Sequence, residues 1–155
     1  MGMDPDARLA YGYDLGSMET FRATPRTEYD SPDLPWLDED NSDFAEQAMT
    51  VLLASVGFTE TYEHAGDGFY ERQRDAEARL GVEFDFAGSH DYPGFILAAT
   101  GSTKSVEWSE TMILDPAELS LPRPDWDEKL SAALMALGVT PDQGGPRWLV
   151  FPFYG

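Results

Sequence analysis

The stretch Asp75-Ala76-Glu77-Ala78-Arg79-Leu80-Gly81-Val82-Glu83-Phe84-Asp85-Phe86 decides the fold class, because the period of its pattern changes inside it. Up to Leu80 the spacing is helical. Phe69, Gln73, Ala76 and Leu80 fall on one stripe, which predicts a helix over 69–80. Gly81 stops it, since glycine enters the left-handed conformation that ends helices without a Cβ clash. Beyond Gly81, Val82, Phe84 and Phe86 alternate with Glu83 and Asp85, the two-residue period of a one-sided strand.

Downstream, Phe95-Ile96-Leu97-Ala98-Ala99 reads as a strand buried on both faces. Ser105 to Leu114, with Val106, Trp108, Thr111 and Ile113, reads as a third strand with a bulge. Short connections suggest that these three form an antiparallel meander. Residues 115–124 form a connector. A helix follows over 126–137, capped by Asp125 with Glu128 three residues on. Trp126, Leu130, Ala133, Leu134 and Leu137 form its inner face, and Gly138 ends it. After a loop from Pro141 to Pro146, residues 147–154 form a terminal strand whose Pro152 places its far end at an edge.

Upstream, Ala65 to Gly68 is a turn, and Phe58 to Glu63 a short extended piece. Phe44, Ala48, Val51, Leu52 and Ser55 predict a helix over 43–56, with Ser42 as its N-cap, Asp43 and Glu46 in its first turn and Gly57 as its stop. Residues 22–40 are loop-like, broken by Pro25, Pro32 and Pro35, with Trp36 and Leu37 available to pin the loop to the body. Leu9, Tyr11, Tyr13 and Leu15 alternate within a strand at 8–15. The predicted order is β-α-α-β-β-β-α-β: an α+β fold with a mostly antiparallel sheet and helices packed on one face.

A chain of 155 residues suits one globular domain, here 1–155 with an acidic, proline-rich loop at 22–40. Nine Phe, 7 Tyr and 4 Trp supply a core and argue against global disorder. The absence of cysteine excludes disulfides, thiolate metal sites and cysteine nucleophiles. No apolar run reaches membrane-spanning length and the first residues lack signal-peptide character, so a cytoplasmic protein with no membrane partner is expected.

Charge is the strongest functional signal. The net charge is −19, and the 45 residues between Arg26 and Arg72 hold no Lys or Arg but 12 acids. That argues against direct binding of nucleic acid and permits a basic partner, such as a nucleic-acid-binding protein. The candidate partner-binding residues are Glu28, Asp30, Asp33, Asp38, Glu39, Asp40, Asp43 and Glu46. A solvated acidic surface gives the same pattern.

Catalytic and metal signatures are weak. An EF-hand loop started at Asp38 would put Asp43 where glycine is needed and Met49 where glutamate is needed. His64 and His90 are the only histidines. Ser89-His90-Asp91 lists the names of a hydrolase triad, but neighbours on an extended backbone point apart. Glu83, Asp85 and Glu107 could hold Mg²⁺ if two strands brought them together, although a one-sided sheet shows the same alternation. No phosphate-cradling glycine loop is present, so no cofactor is expected.

Leu9-Ala10-Tyr11-Gly12-Tyr13-Asp14-Leu15-Gly16, Asp91-Tyr92-Pro93 with Ile96-Leu97-Ala98-Ala99, and Trp148-Leu149 with the closing Tyr154-Gly155 resemble a family of small proteins encoded by actinobacteria and by the phages that infect them. The resemblance spans most of the chain outside the acidic loop. It carries no catalytic signature and implies a context, a phage or prophage accessory gene. The expected function is therefore non-enzymatic protein binding, in its sharpest form an acidic inhibitor that mimics nucleic acid. A virion or assembly component, and a metal-dependent enzyme using the sheet carboxylates, are the alternatives.

Overall fold

The computed structural model describes residues 5–38, 40 and 43–154. It is an α+β fold. The main sheet contains β1 (Asp6–Gly16), β3 (Val82–Ala87), β4 (Gly94–Ala99), β5 (Lys104–Val106) and β7 (Arg147–Phe153). The helices are α1 (Phe44–Ser55), α2 (Phe69–Leu80), the single turn α3 (Pro116–Leu119) and α4 (Pro124–Leu137). A two-residue ribbon, β2 (Ala23–Thr24) with β6 (Thr140–Pro141), completes the order.

β1 is the centre. Along one edge it pairs with β7 from Asp6 to Gly12. Along the other it pairs with β4 at Gly12–Gly16 and with β5 at Ala7–Leu9. β3 pairs antiparallel with β4 and lies outermost on that side. The expected meander is therefore only half right. β3 and β4 form the hairpin, but β5 does not fold back on β4. It continues β4's course along the same edge of β1, after a tight excursion at Thr100–Thr103. The excursion interrupts the ladder, and Ser102 repairs it: its buried hydroxyl accepts the Tyr11 N–H at 3.1 Å and donates to the Ala99 carbonyl at 2.7 Å. The strand expected over 105–114 is correspondingly short. Past Val106 the chain turns, and Trp108 and Ile113 are exposed. Their apolar character imitates a strand with no neighbouring surface to bury it.

Other boundaries shift for local reasons. The α1 cap is Asp43, whose carboxylate accepts the Glu46 N–H at 3.0 Å; Ser42, the expected cap, lies outside the described residues. α4 starts at Pro124, and Asp125 sits in its first turn instead of capping it. Proline is well suited to a first helical position, because its missing N–H has no partner there anyway. Residues 58–63 are not a strand, and a single 3-10 turn forms at Tyr62–His64. The 22–40 segment is held by the β2–β6 ribbon and by Trp36, whose indole N–H donates to the Leu137 carbonyl at 2.8 Å. On α2, Arg72 ion-pairs with Glu60 before the helix rather than with a neighbour on its own surface.

The two faces of the sheet bury different cores. Tyr13, Leu15, Leu97 and Val82 face the helices and pack with Phe44, Leu52, Leu130 and Leu137. The other face buries Ala10, Ile96, Ala98 and Phe151 without a helix over them. The sheet curls to enclose them. Its outer strands meet at one corner, where the Gly88 N–H donates to Pro152 at 2.8 Å and the Tyr154 N–H to Gly88 at 3.1 Å. Inside the curl Arg8 reaches Asp85 at 2.6 Å and lies 3.7 Å over the Phe153 ring. The tight course of β1 past β4 needs Gly12, since a Cβ there would lie 1.9 Å from the Leu97 carbonyl oxygen.

Removing the Ser102 hydroxyl leaves the Tyr11 N–H without its partner, while the Ala99 carbonyl still accepts the Ser102 N–H at 3.1 Å. Ser102→Ala should lose about 1–3 kcal/mol of unfolding free energy. Gly66→Ala, at a position open to solvent with nothing within 4 Å, should stay within about 0.5 kcal/mol of the parent. Urea melts of the two variants check this.

Candidate functional site

Among the described residues, the carboxylates predicted as a binding surface are exposed, and they lie on separate stretches of the chain. Glu28 and Asp30 sit on the turn between Thr27 and Ser31, which is closed by the Thr27 N–H donating to Ser31 at 2.8 Å. Asp33 follows Pro32. Asp38 lies beside α1, where its backbone N–H donates to Gln47 at 2.7 Å, and its carboxylate accepts the Asp40 N–H at 3.0 Å. Asp43 and Glu46 begin α1. Glu39 lies outside the described residues. Among the described residues, Glu28, Asp30, Asp33, Asp38, Asp40 and Glu46 make no ion pair. Two nearby arginines are already engaged, Arg22 with Asp14 at 2.8 Å and Arg26 with Asp142 at 2.7 Å.

The structure also joins part of this surface to a cleft that the linear pattern does not reveal. One chamber, about 760 Å³, lies between the start of α1, the Ser17–Glu19 turn and the β3–β4 loop; Phe44, Phe86 and Phe95 line it, with His90 and Tyr92 from the loop. A second, about 600 Å³, continues between α1, α2 and β3 over Phe84 and Met49. Asp43 and Phe86 line both, so they form one groove along the outer side of β3. Six acids border it: Glu19, Asp43, Glu46, Glu77, Glu83 and Asp91. Arg74 is the arginine among the lining residues. It makes no ion pair or hydrogen bond among the described residues.

Each wall has a local cause. The αL conformation of Gly81 sends the chain from α2 straight into β3, so Glu77 and Ala78 stand beside Val82 and Glu83. Phe84 and Phe86 point toward the helices but stay half-buried, because β3 is the outermost strand on that side. Glu83 lines the second chamber from the strand's edge, with its carboxylate on the opposite face near Thr103. Burial against the strand, followed by the neighbouring Asp85 charge, pushes its carboxyl above the usual range. Thr103, 3.5 Å away, offsets this weakly.

The alternative chemical constellations are not assembled. Asp85 is turned into the curl and paired with Arg8, while Glu107 lies in the turn after β5, where its N–H donates to Glu110 at 3.3 Å. Among the described residues no three His, Cys, Asp or Glu side chains converge as metal ligands. Ser89, His90 and Asp91 are exposed on the β3–β4 loop and share no hydrogen bond with one another. No described helix is long and apolar enough to cross a membrane.

One aromatic group gathers residues from three elements. Tyr11, Trp126 and Trp148 pack with centroids 5.4–6.0 Å apart, and Arg123 stacks over Trp126 at 4.6 Å. Tyr11 donates to Asp127 at 2.6 Å; burial first and this bond second push its hydroxyl up to about 12. The group fastens the start of α4 to β1 and β7.

Glu83 supplies a test of the electrostatics along β3. Its folded-state value is raised, so relative stability is present below the unfolded value and lost as pH rises through the folded one. Glu83→Gln should therefore raise Tm at pH 7, and that gain should vanish as pH falls below the ordinary glutamate range. Thermal melts between pH 3 and 8 check the sign.

No protein family, curated protein or solved structure matches this chain.

Proposed function

We propose that this is a non-enzymatic accessory protein of phage or prophage type that acts by binding a basic protein. In the sharpest form its partner is a nucleic-acid-binding host factor, and its carboxylates occupy the surface that otherwise receives phosphates. One observation carries this reading: the exposed carboxylates of Glu28, Asp30, Asp33, Asp38, Asp40 and Glu46 make no ion pair among the described residues, while nearby arginines are spent on Asp14 and Asp142. Proteins that bind nucleic acid meet its backbone charge first. A surface that presents carboxylates without internal partners offers the same first contact, at rates that opposite charge accelerates.

Such binding depends on ionic strength, because exposed charges are screened over roughly 8 Å at physiological salt. Affinity capture from an actinobacterial lysate, after nuclease treatment, should retain a nucleic-acid-binding protein at low salt and release it at high salt. The same retention should be lost in an Asp38→Lys, Asp40→Lys, Glu46→Lys triple variant, whose positions are all exposed. Retention that ignores both salt and the triple substitution, or no retention at all, overturns the proposal. A self-associated species in sedimentation would favour the assembly-component reading instead.

A further inference from the structure

We infer that the groove along the outer side of β3 seats a short basic segment of a partner protein, with one large apolar side chain of that segment filling the Phe44–Phe86–Phe95 chamber. This deepens the preceding proposal and rests on it for the partner's charge. The reasons for this occupant are independent of the acidic loop.

The first is the mixed character of the groove. Its floor is aromatic and its borders are carboxylates, so neither a purely apolar nor a purely ionic ligand matches it. A cavity of about 760 Å³ lies within the range of small-ligand sites and has room for a large apolar side chain with neighbouring atoms. The second is charge. Glu19, Asp43 and Asp91 border the apolar chamber, and Glu46, Glu77 and Glu83 the continuation, against Arg74. A free fatty acid, a phosphorylated ligand or an acidic peptide would meet carboxylates at both ends. Lysine or arginine residues flanking an apolar anchor would meet them favourably.

The third is the strand itself. The Thr100 N–H donates to Gly81 at 3.0 Å, which fixes Val82 opposite Ala99 as a pair without mutual hydrogen bonds. By alternation the main-chain groups of Glu83, Asp85 and Ala87 turn toward β4, and those of Val82, Phe84 and Phe86 turn outward. The Asp85 carboxylate takes the Phe86 N–H at 2.8 Å, so one of these outward donors is already capped. Among the described residues no strand lies along the others, and β3 meets a second strand past its end, at Gly88. An extended segment can therefore lie beside β3 with its side chains over Phe84 and Phe86.

Fluorescein-labelled peptides test this against the full chain by anisotropy. The probes are Lys-Arg-Lys-Leu-Phe-Leu-Arg-Lys, the same peptide with Gly-Ser-Gly in place of Leu-Phe-Leu, and a version with every basic residue replaced by Glu. The first should bind, the second about tenfold or more weakly, since a buried Leu or Phe contributes that much or more, and the third not at all. Glu77→Lys with Glu83→Lys should weaken the first probe about tenfold more than Glu28→Lys with Asp33→Lys does, because the charge change is equal and only the first pair lines the groove. Ala78→Phe, at an exposed α2 position lining the groove, should reduce binding of the first probe while circular dichroism stays unchanged.

Equal binding of the first two probes, or equal effects of the two lysine pairs, overturns the groove assignment and leaves the acidic-surface proposal standing. Failure of both basic probes together with failure of the lysate capture overturns both. A dimer that buries the groove and is broken by Ala78→Phe assigns the site to a second copy and overturns the present inference.

Discussion

β1 is the constraint on which the rest depends. It is hydrogen-bonded on both edges, to β7 along one and to β4 and then β5 along the other. Its side chains feed both cores: Tyr13 and Leu15 meet the helices, and Ala10 lies inside the curl. Two small residues make this position tenable. Gly12 lets the backbone of β1 approach Leu97, and Ser102 supplies the bonds that an unbroken neighbour would have made. With one edge of β4 committed to β1, β3 is carried to the outside. The groove is a consequence: two helices cross the inner side of a strand that has no strand beyond it.

Cations are scarce in this chain, and nearly all are spent on internal contacts. Four arginines form ion pairs, while Arg79, Arg123, Lys129 and Arg147 donate to backbone carbonyls. Arg8 is the extreme case, held between Asp85 and the Phe153 ring inside the curl. Pairs of that kind contribute more to defining one arrangement than to net stability, because desolvation offsets much of their attraction. The remaining carboxylates repel one another through solvent, which favours solubility and costs stability at low salt.

What was legible in the sequence is what local chemistry controls. Gly81 and Gly138 end their helices in the left-handed conformation, as their positions after the last apolar residue indicate. The alternation at Val82–Phe86 and at Leu9–Leu15 gives the correct inward faces. Pairing is different, because alternation tells which face a residue occupies and not which strand lies alongside. So β5 was assigned to β4 when its partner is β1. Ser102 carried no signal, since its partners Tyr11 and Ala99 are chosen by the tertiary fold. Of the acids expected to bind a partner, Asp43 and Glu46 border the cleft; Glu83 and Asp91 drew attention for other chemistry. Glu19, Glu77 and Asp91 come from three separate elements, and no spacing in one dimension announces that they share a groove.

The position of these carboxylates bears on whether the negative charge is only a solubilising coat. On a convex surface a carboxylate is well hydrated, and water screens it from its neighbours. A concave site with low-dielectric walls hydrates it less well and concentrates the field of several acids in one volume. Glu83, at the edge of β3, is held toward its protonated form by burial and by Asp85. A solubilising coat has no need to place acids beside Phe84 and Phe86. An incoming guanidinium changes the balance twice: it offsets the charge of the bordering carboxylates, and its planar face can stack on the half-buried aromatic rings. The combination that is least comfortable for the free protein is therefore the one that a basic, partly apolar segment relieves.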